Sequence, residues 1–240
     1  MISEARRYAG LRVKPLHITV HAWRRKLDGL VSINTSPHEN RFCVVLHGQK
    51  HTICGKCYAF KMESSYSWMK PFLVENHRRL STPLSDDEIT ATCQQLLRMH
   101  NGYVRLNSLG ELSGPENLEN YYRICEGVPD ARFALYTKRP YLVKKARPKP
   151  PNLSVIWSNP ALDSPTDKIP PGCNGVFNIL SFGFCVEHKV VPSCNLECMK
   201  CLRCYGGQPV VVTELLKIDQ SHLQRGVIPP VTGRESHKGA

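Results

Sequence analysis

The run Cys185-x8-Cys194-x3-Cys198-x2-Cys201-x2-Cys204 sets five thiols within twenty positions late in the chain, and Cys54-x2-Cys57 adds an early pair. Thiolate is the soft ligand of zinc and of iron–sulfur clusters, and spacings of three or four residues let several sulfurs reach one centre. The fold therefore has to gather a short polar segment around a common point. The eleven cysteines would suit a disulfide framework in a small secreted scaffold. Here the N-terminus, MISEARRYAG, carries charges and no apolar stretch, so no secretory signal is read there. No segment approaches the roughly 20 continuous apolar residues of a membrane span. Thiolate–metal chemistry in a reducing, intracellular compartment is the expectation, and disulfides are not.

At 240 residues the chain is long enough to bury a sizeable core. Residues 1–26 read as a basic lead-in. Residues 27–220 read as a single α/β domain that includes the Cys-rich segment 185–204, and 221–240 as a loose polar tail. Leu30–Asn34 and Phe42–Leu46 are rich in apolar and β-branched residues and predict strands. Tyr58–Leu80 has a helical pattern that Pro71 should kink or restart. Ser85 with Glu88 three residues on predicts a capped helix start, with Ile89, Cys93, Leu96 and Leu97 on one face. Strands are then expected at Tyr103–Asn107, Arg132–Thr137, Leu153–Ser158 and Val176–Leu180, alternating with helices at Pro115–Glu126 and Pro140–Ala146. The Pro- and Gly-rich stretch 159–175 reads as a loop. Short apolar runs separated by helices are the mark of a parallel sheet, here an open one or an incomplete, irregular TIM-barrel-like (β/α) domain.

In such folds the chemistry gathers at the carboxyl ends of the strands. Four polar groups fall there: Asn107 with Ser108 and Glu111; Tyr136-Thr137-Lys138; Ser158-Asn159; and His47, His51, Cys54 and Cys57. Asn107, Glu111, Tyr136 and Lys138 are the candidate substrate-binding or catalytic side chains, though a plain Glu111–Lys138 ion pair fits them too. Cys43, Cys93 and Cys125 lie in apolar patterns and read as small core residues, and Cys173 has no evident role. Cys194, Cys198, Cys201 and Cys204 could close one tetrahedral zinc site. Alternatively some of them join Cys54 or Cys57 around a cluster, with Cys185 completing a second site. A redox-active Cys54/Cys57 pair is a third reading.

The formal net charge of +12 favours polyanionic partners. Lys138, Arg139, Lys144, Lys145, Arg147 and Lys149 form a run with no acid. A zinc-stapled nucleic-acid-binding protein without catalysis is therefore the alternative function, although no helix-turn-helix, finger or RNA-binding motif supports it. Radical AdoMet enzymes place CxxxCxxC before the first helix of a barrel. Cys54-x2-Cys57 stands in that manner, but the position four before Cys54 is Lys50 and no glycine-rich AdoMet stretch follows. The standard form of that chemistry is disfavoured.

The ordered series Cys54-Gly-Lys-Cys57-Tyr58-Ala59, Val104-Arg105-Leu106-Asn107-Ser108-Leu109-Gly110-Glu111-Leu112, Phe133-Ala134-Leu135-Tyr136-Thr137-Lys138-Arg139 and the late CxxCxxC resembles the gene product eighty-eight family of phage and plasmid proteins. The resemblance spans roughly residues 30 to 206. It implies a phage- or mobile-element-encoded protein of the bacterial cytoplasm, on a barrel-like α/β fold, with an iron–sulfur cluster (4Fe–4S or 3Fe–4S) in preference to zinc. Cys54, Cys57, Cys194, Cys198, Cys201 and Cys204 would hold the cluster beside a small-molecule substrate or redox partner. Two departures stand out: Asn107 replaces the family's usual histidine, and Glu111-Leu112 its Asp-Phe.

Overall fold

The computed structural model describes residues 13–21, 26–194 and 196–217. Seven strands form one sheet in the order of the chain: β1 (Ile18–Val20), β2 (Val31–Ile33), β3 (Tyr103–Leu106), β4 (Arg132–Thr137), β5 (Leu153–Leu162), β6 (Gly175–Leu180) and β7 (Val210–Leu215). β1 runs antiparallel to β2, and every later neighbour pairs in parallel. Among the described residues β7 pairs only with β6, so the sheet has two edges and barrel closure is not seen. The helices are α1 (Arg41–His47), α2 (Tyr58–Ser65), α3 (Lys70–Leu80), α4 (Asp86–Met99), α5 (Pro115–Gly127), α6 (Pro140–Lys145), α7 (Phe182–Glu187) and α8 (Cys198–Cys201).

Consecutive parallel strands joined by crossovers of one hand send their helices to the same face of the sheet. That face is the main core. Val104 and Leu106, Phe133 and Leu135, and Leu153 and Val155 alternate along β3, β4 and β5. They pack with Ile89, Cys93 and Leu96 of α4 and Leu118, Tyr121 and Ile124 of α5. α4 starts where its signal says: Ser85 accepts from the Glu88 N–H while Glu88 accepts from the Ser85 N–H, a reciprocal cap contributing about 1 kcal/mol. Pro71 separates α2 from α3, standing in the first turn of α3, where its missing N–H costs no bond.

The second face is covered differently. Ala134 and Tyr136 of β4, Ile156 of β5, Phe177 and Ile179 of β6, and Val210 and Val212 of β7 pack with Tyr205, Cys194, Cys198, Met199, Leu202 and Cys204. The Cys-rich segment therefore lies across the sheet face that the helices leave open.

The structure differs from the sequence reading at four places. Phe42–Leu46 is helix rather than strand: Asn40 caps α1 by accepting from the Phe42 N–H at 3.1 Å, and Val44 and Val45 are exposed. β-Branched residues favour strands by packing on a pleated surface, and among the described residues no strand pairs with this segment. β1 falls within the stretch read as a lead-in. β5 continues to Leu162 into the expected loop, its pairing with β6 irregular between Ser158 and Leu162, where Pro160 has no N–H to give. β7 was not anticipated. The tail 221–240 lies outside the described residues.

Candidate metal and ligand-binding cavity

A cavity of about 160 Å³ lies between the second face of the sheet and the Cys-rich segment. Cys54 and Cys57 line it from one side, Cys194, Cys198, Cys201 and Cys204 from another, and Arg105, Asn107, Ser108, Tyr136, Lys138 and Ser158 from the strands and their carboxyl ends. Of the strand-end groups expected to share a rim, Asn107, Ser108, Tyr136, Lys138, Ser158, Cys54 and Cys57 line the cavity, whereas Glu111, Thr137, Asn159, His47 and His51 do not.

The early pair is held by a tight local fold. A 3-10 turn spans Ile53–Lys56, capped by Thr52 Oγ1, which accepts from the Gly55 N–H at 3.2 Å. Gly55 packs so closely on the Gln49–Lys50 backbone that a Cβ would force a shift. Thr52 also bridges Ala161, which ties the turn to the far end of β5. Cys57 then caps α2, and Tyr58 donates its hydroxyl to the Ser108 carbonyl at 2.5 Å, joining the pair to the end of β3.

The late thiols owe their placement to spacing. Cys198 and Cys201 stand three apart on the single turn of α8, hence on one side of it. Leu202 then adopts a left-handed conformation (φ 52°) and starts a 3-10 turn over Arg203–Tyr205 that presents Cys204. Backbone bonds anchor the segment: Cys194 N–H to the Thr213 carbonyl and Cys198 N–H to the Lys26 carbonyl, both 2.8 Å. The Lys26 ammonium donates to the Cys194 carbonyl at 3.0 Å and pairs with Glu214 of β7. None of the described cysteines is in a disulfide.

Arg105 and Lys138 face the thiols. Arg105 stacks its guanidinium 3.6 Å above the ring of Tyr136, whose hydroxyl faces the Cys204 thiol. Lys138 lies near Cys54, Cys57 and Cys43. Burial pushes the Cys54, Cys198 and Cys204 thiols up, and these cations pull them part of the way back, Lys138 for Cys54 and Arg105 for the other two. The thiols are spread around the space: among the described residues no three His, Cys, Asp or Glu side chains converge closely enough to hold a metal ion.

The other expected site residues separate cleanly. Asn107, at the end of β3 with φ 57°, lines the cavity and accepts from the buried Tyr121 hydroxyl at 2.9 Å. Tyr136 and Lys138 line it too. Glu111 does not. Its carboxylate is 1% exposed and accepts from Thr137 Oγ1 (2.5 Å), the Lys138 N–H (2.7 Å) and the Leu112 N–H (2.8 Å), so it shapes the loop under the cavity and makes no ion pair with the Lys138 ammonium. Cys185 is buried in a separate apolar cluster with Leu180 and Leu215, away from the cavity. His47 stacks on Phe60 and bonds the Cys54 carbonyl through Nδ1 at 2.8 Å, whereas His51 is exposed. In the basic run, Lys138 faces the cavity, Arg139 donates to the Leu112 and Ser113 carbonyls, and Arg147 pairs with Glu119 and Glu126. Arg139 and Arg147 are thus committed within the protein.

Arg105 and Tyr205 were not anticipated as site residues. The signal for Arg105 was present. In Tyr103-Val104-Arg105-Leu106 the apolar positions take the helix-covered face, so period-two alternation sends Tyr103 and Arg105 to the other face.

The family model described as Gene product 88 matches residues 6–171, more than half of the chain. The chain belongs to the Gene product 88 family. Comparison with curated proteins and with solved structures gave no match. The matched part of this family member holds Cys54, Cys57, Arg105, Asn107, Tyr136 and Lys138. The resemblance read as far as residue 206 is carried by the model only to residue 171, so Cys185–Cys204, β6 and β7 lie beyond it. No helix among the described residues is long and apolar enough to cross a membrane.

Proposed function

We propose that this Gene product 88 protein binds an iron–sulfur cluster in the cavity, on what amounts to an incomplete (β/α) barrel of six consecutive parallel strands. One observation carries the reading: six thiols, from opposite ends of the chain, line a single space. The chemistry of the donor set suits a soft metal centre. The spread of the sulfurs favours a polynuclear cluster over one ion, because a single zinc needs four ligands converging at about 2.3 Å.

Cys198, Cys201 and Cys204, with Cys194, Cys54 or Cys57, are the ligands this reading assigns. Such a cluster supplies electron transfer or, with one iron free of protein ligands, a Lewis acid. The residues around it have roles of their own. Arg105 and Lys138 favour the thiolate over the thiol. Tyr136 orients Arg105 by stacking and turns its hydroxyl toward Cys204. Tyr205, packed at the edge of Tyr103 with ring centroids 5.3 Å apart, helps to shield the space from water. Thiolate-held iron calls for a reducing compartment, in keeping with the bacterial cytoplasm expected for the family.

Anaerobic purification followed by iron, sulfide and zinc analysis, with visible absorption and electron paramagnetic resonance spectra, tests this. Brown protein containing iron and acid-labile sulfide is expected. Colourless protein, with zinc or with no metal, overturns it.

A further inference from the structure

We propose that the same cavity binds a small oxyanion, a carboxylate or a phosphate, through Arg105 and Lys138, with Asn107, Ser108 and Tyr205 completing its hydrogen bonds. The inference uses the cavity described above but does not need the cluster.

Arg105 makes no ion pair and donates no hydrogen bond among the described residues, and its Nε is buried without a partner. A buried guanidinium nitrogen left without a partner is costly, so a fold that retains one has a use for it. Stacking on Tyr136 fixes the plane of the guanidinium and leaves its N–H groups uncommitted, the geometry in which arginine grips a carboxylate or phosphate with two parallel bonds. Lys138 is held at its backbone by Glu111 while its ammonium takes no ion-pair partner. The one carboxylate that lines the cavity, Glu214, is engaged by Lys26.

The neutral groups agree. Asn107 Nδ2, Ser108 Oγ and the Tyr205 hydroxyl are buried without partners, in residues 4%, 6% and 5% exposed, and all three residues line the cavity. Most buried polar atoms in folded proteins are hydrogen-bonded, so three orphans around one space point to a missing ligand. Asn107 already has its Oδ1 engaged by Tyr121, so it offers only a donor. Guanidinium, ammonium and amide N–H are donors without acceptor capacity, and the two hydroxyls can donate as well. Such a set is matched by an anion. The volume admits on the order of ten waters, which suits a small molecule.

The test is isothermal titration calorimetry of the full chain, purified anaerobically, with inorganic phosphate and, separately, with succinate. The two titrations distinguish phosphate from carboxylate recognition. Saturable binding of one of them at one site per chain is expected, weakened about tenfold or more in Arg105→Gln and in Lys138→Gln. Asn107→Ala carries the test should Arg105→Gln fail to fold. Wild-type protein that binds neither anion, or binding indifferent to all three substitutions, overturns the proposal. So does loss of bound metal in Arg105→Gln with anion binding intact in Lys138→Gln, because these cations would then serve only to balance thiolate charge. Iron-free protein that still binds the anion sinks the cluster reading and leaves this one standing.

Discussion

Replacing Glu111 with glutamine separates a working carboxylate from a structural one. The wild-type side chain accepts three hydrogen bonds and has no cationic partner within ion-pair distance among the described residues. Leu112 N–H and the Thr137 hydroxyl share Oε1, and Lys138 N–H takes Oε2. A glutamine amide keeps one oxygen. Placed with its oxygen at the Oε1 position, it retains two bonds at neutral strength and turns an N–H₂ toward the Lys138 N–H, donor against donor. Losing one charge-assisted bond and stranding a buried backbone N–H together cost about 3 kcal/mol. Against an ordinary stability of about 5–15 kcal/mol that is a large share. With a urea slope of about 1–3 kcal/mol per molar, the denaturation midpoint should fall by roughly 1–3 M at unchanged slope. Equilibrium unfolding in urea, followed by far-UV circular dichroism, reads this directly. A Glu111→Gln protein as stable as wild type that nonetheless loses ligand binding would refute the reasoning and return Glu111 to the chemistry.

Three further outcomes are expected. Gly110 lines the cavity at φ +89°, and a Cβ there would land on the Thr35 side chain and carbonyl, so Gly110→Ala should destabilise by about 3 kcal/mol or more; a change in urea midpoint too small to measure would contradict that close approach. Cys198→Ser should bleach the visible absorbance and lower the iron content, whereas Cys185→Ser, in its separate apolar cluster, should leave both unchanged; the reverse pattern would exchange their roles. His21, bonded to Ser32 Oγ at 2.7 Å, has its pKa lowered from 6.5 to about 4 by burial and by Arg105. The unfolded chain then takes up a proton that the native state refuses, so stability should be full above pH 6.5, fall by about 2 kcal/mol as the pH drops to 4, and level off below; unfolding midpoints of wild type and His21→Gln across that window check this, and equal slopes would remove His21 as the cause.

The parts of this fold that were legible in the sequence are those governed by local chemistry. The Ser85–Glu88 cap, the Pro71 break and the Pro115 start act within one or two turns of helix, and the apolar runs of β3 to β6 pack against chain on both faces. Phe42–Leu46 misled because strand preference reports neighbours, and the Asn40 cap was the stronger local signal. β1 and β7 are edge strands, one of three residues and the other carrying an exposed Val211 and a buried Glu214, so neither shows a clean alternation. The part of the rim at the ends of β3, β4 and β5 was readable because strand ends converge in any parallel sheet, whereas the Cys54–Cys57 turn follows a helix rather than the expected strand. The separation of Glu111 from Lys138 was not, since it depends on a carboxylate reaching back to backbone N–H groups.

The order of the strands accounts for the site. Because every parallel strand follows its neighbour in sequence, the long helices α4 and α5 pack on one face and the other must be covered by something else. Here the cover is the segment 194–205, too short for a helical layer and held by Thr213 and Lys26. A thin cover over a concave face leaves a space, and period-two alternation places Arg105 and Tyr136 on the floor of that space. The thiols of the cover and of the Cys54–Cys57 turn then meet the two cations across it. The matched family region ends at residue 171 and contains the cations and the first thiol pair. The cover and the last two strands follow it, so both halves of the chain are required before the cavity exists.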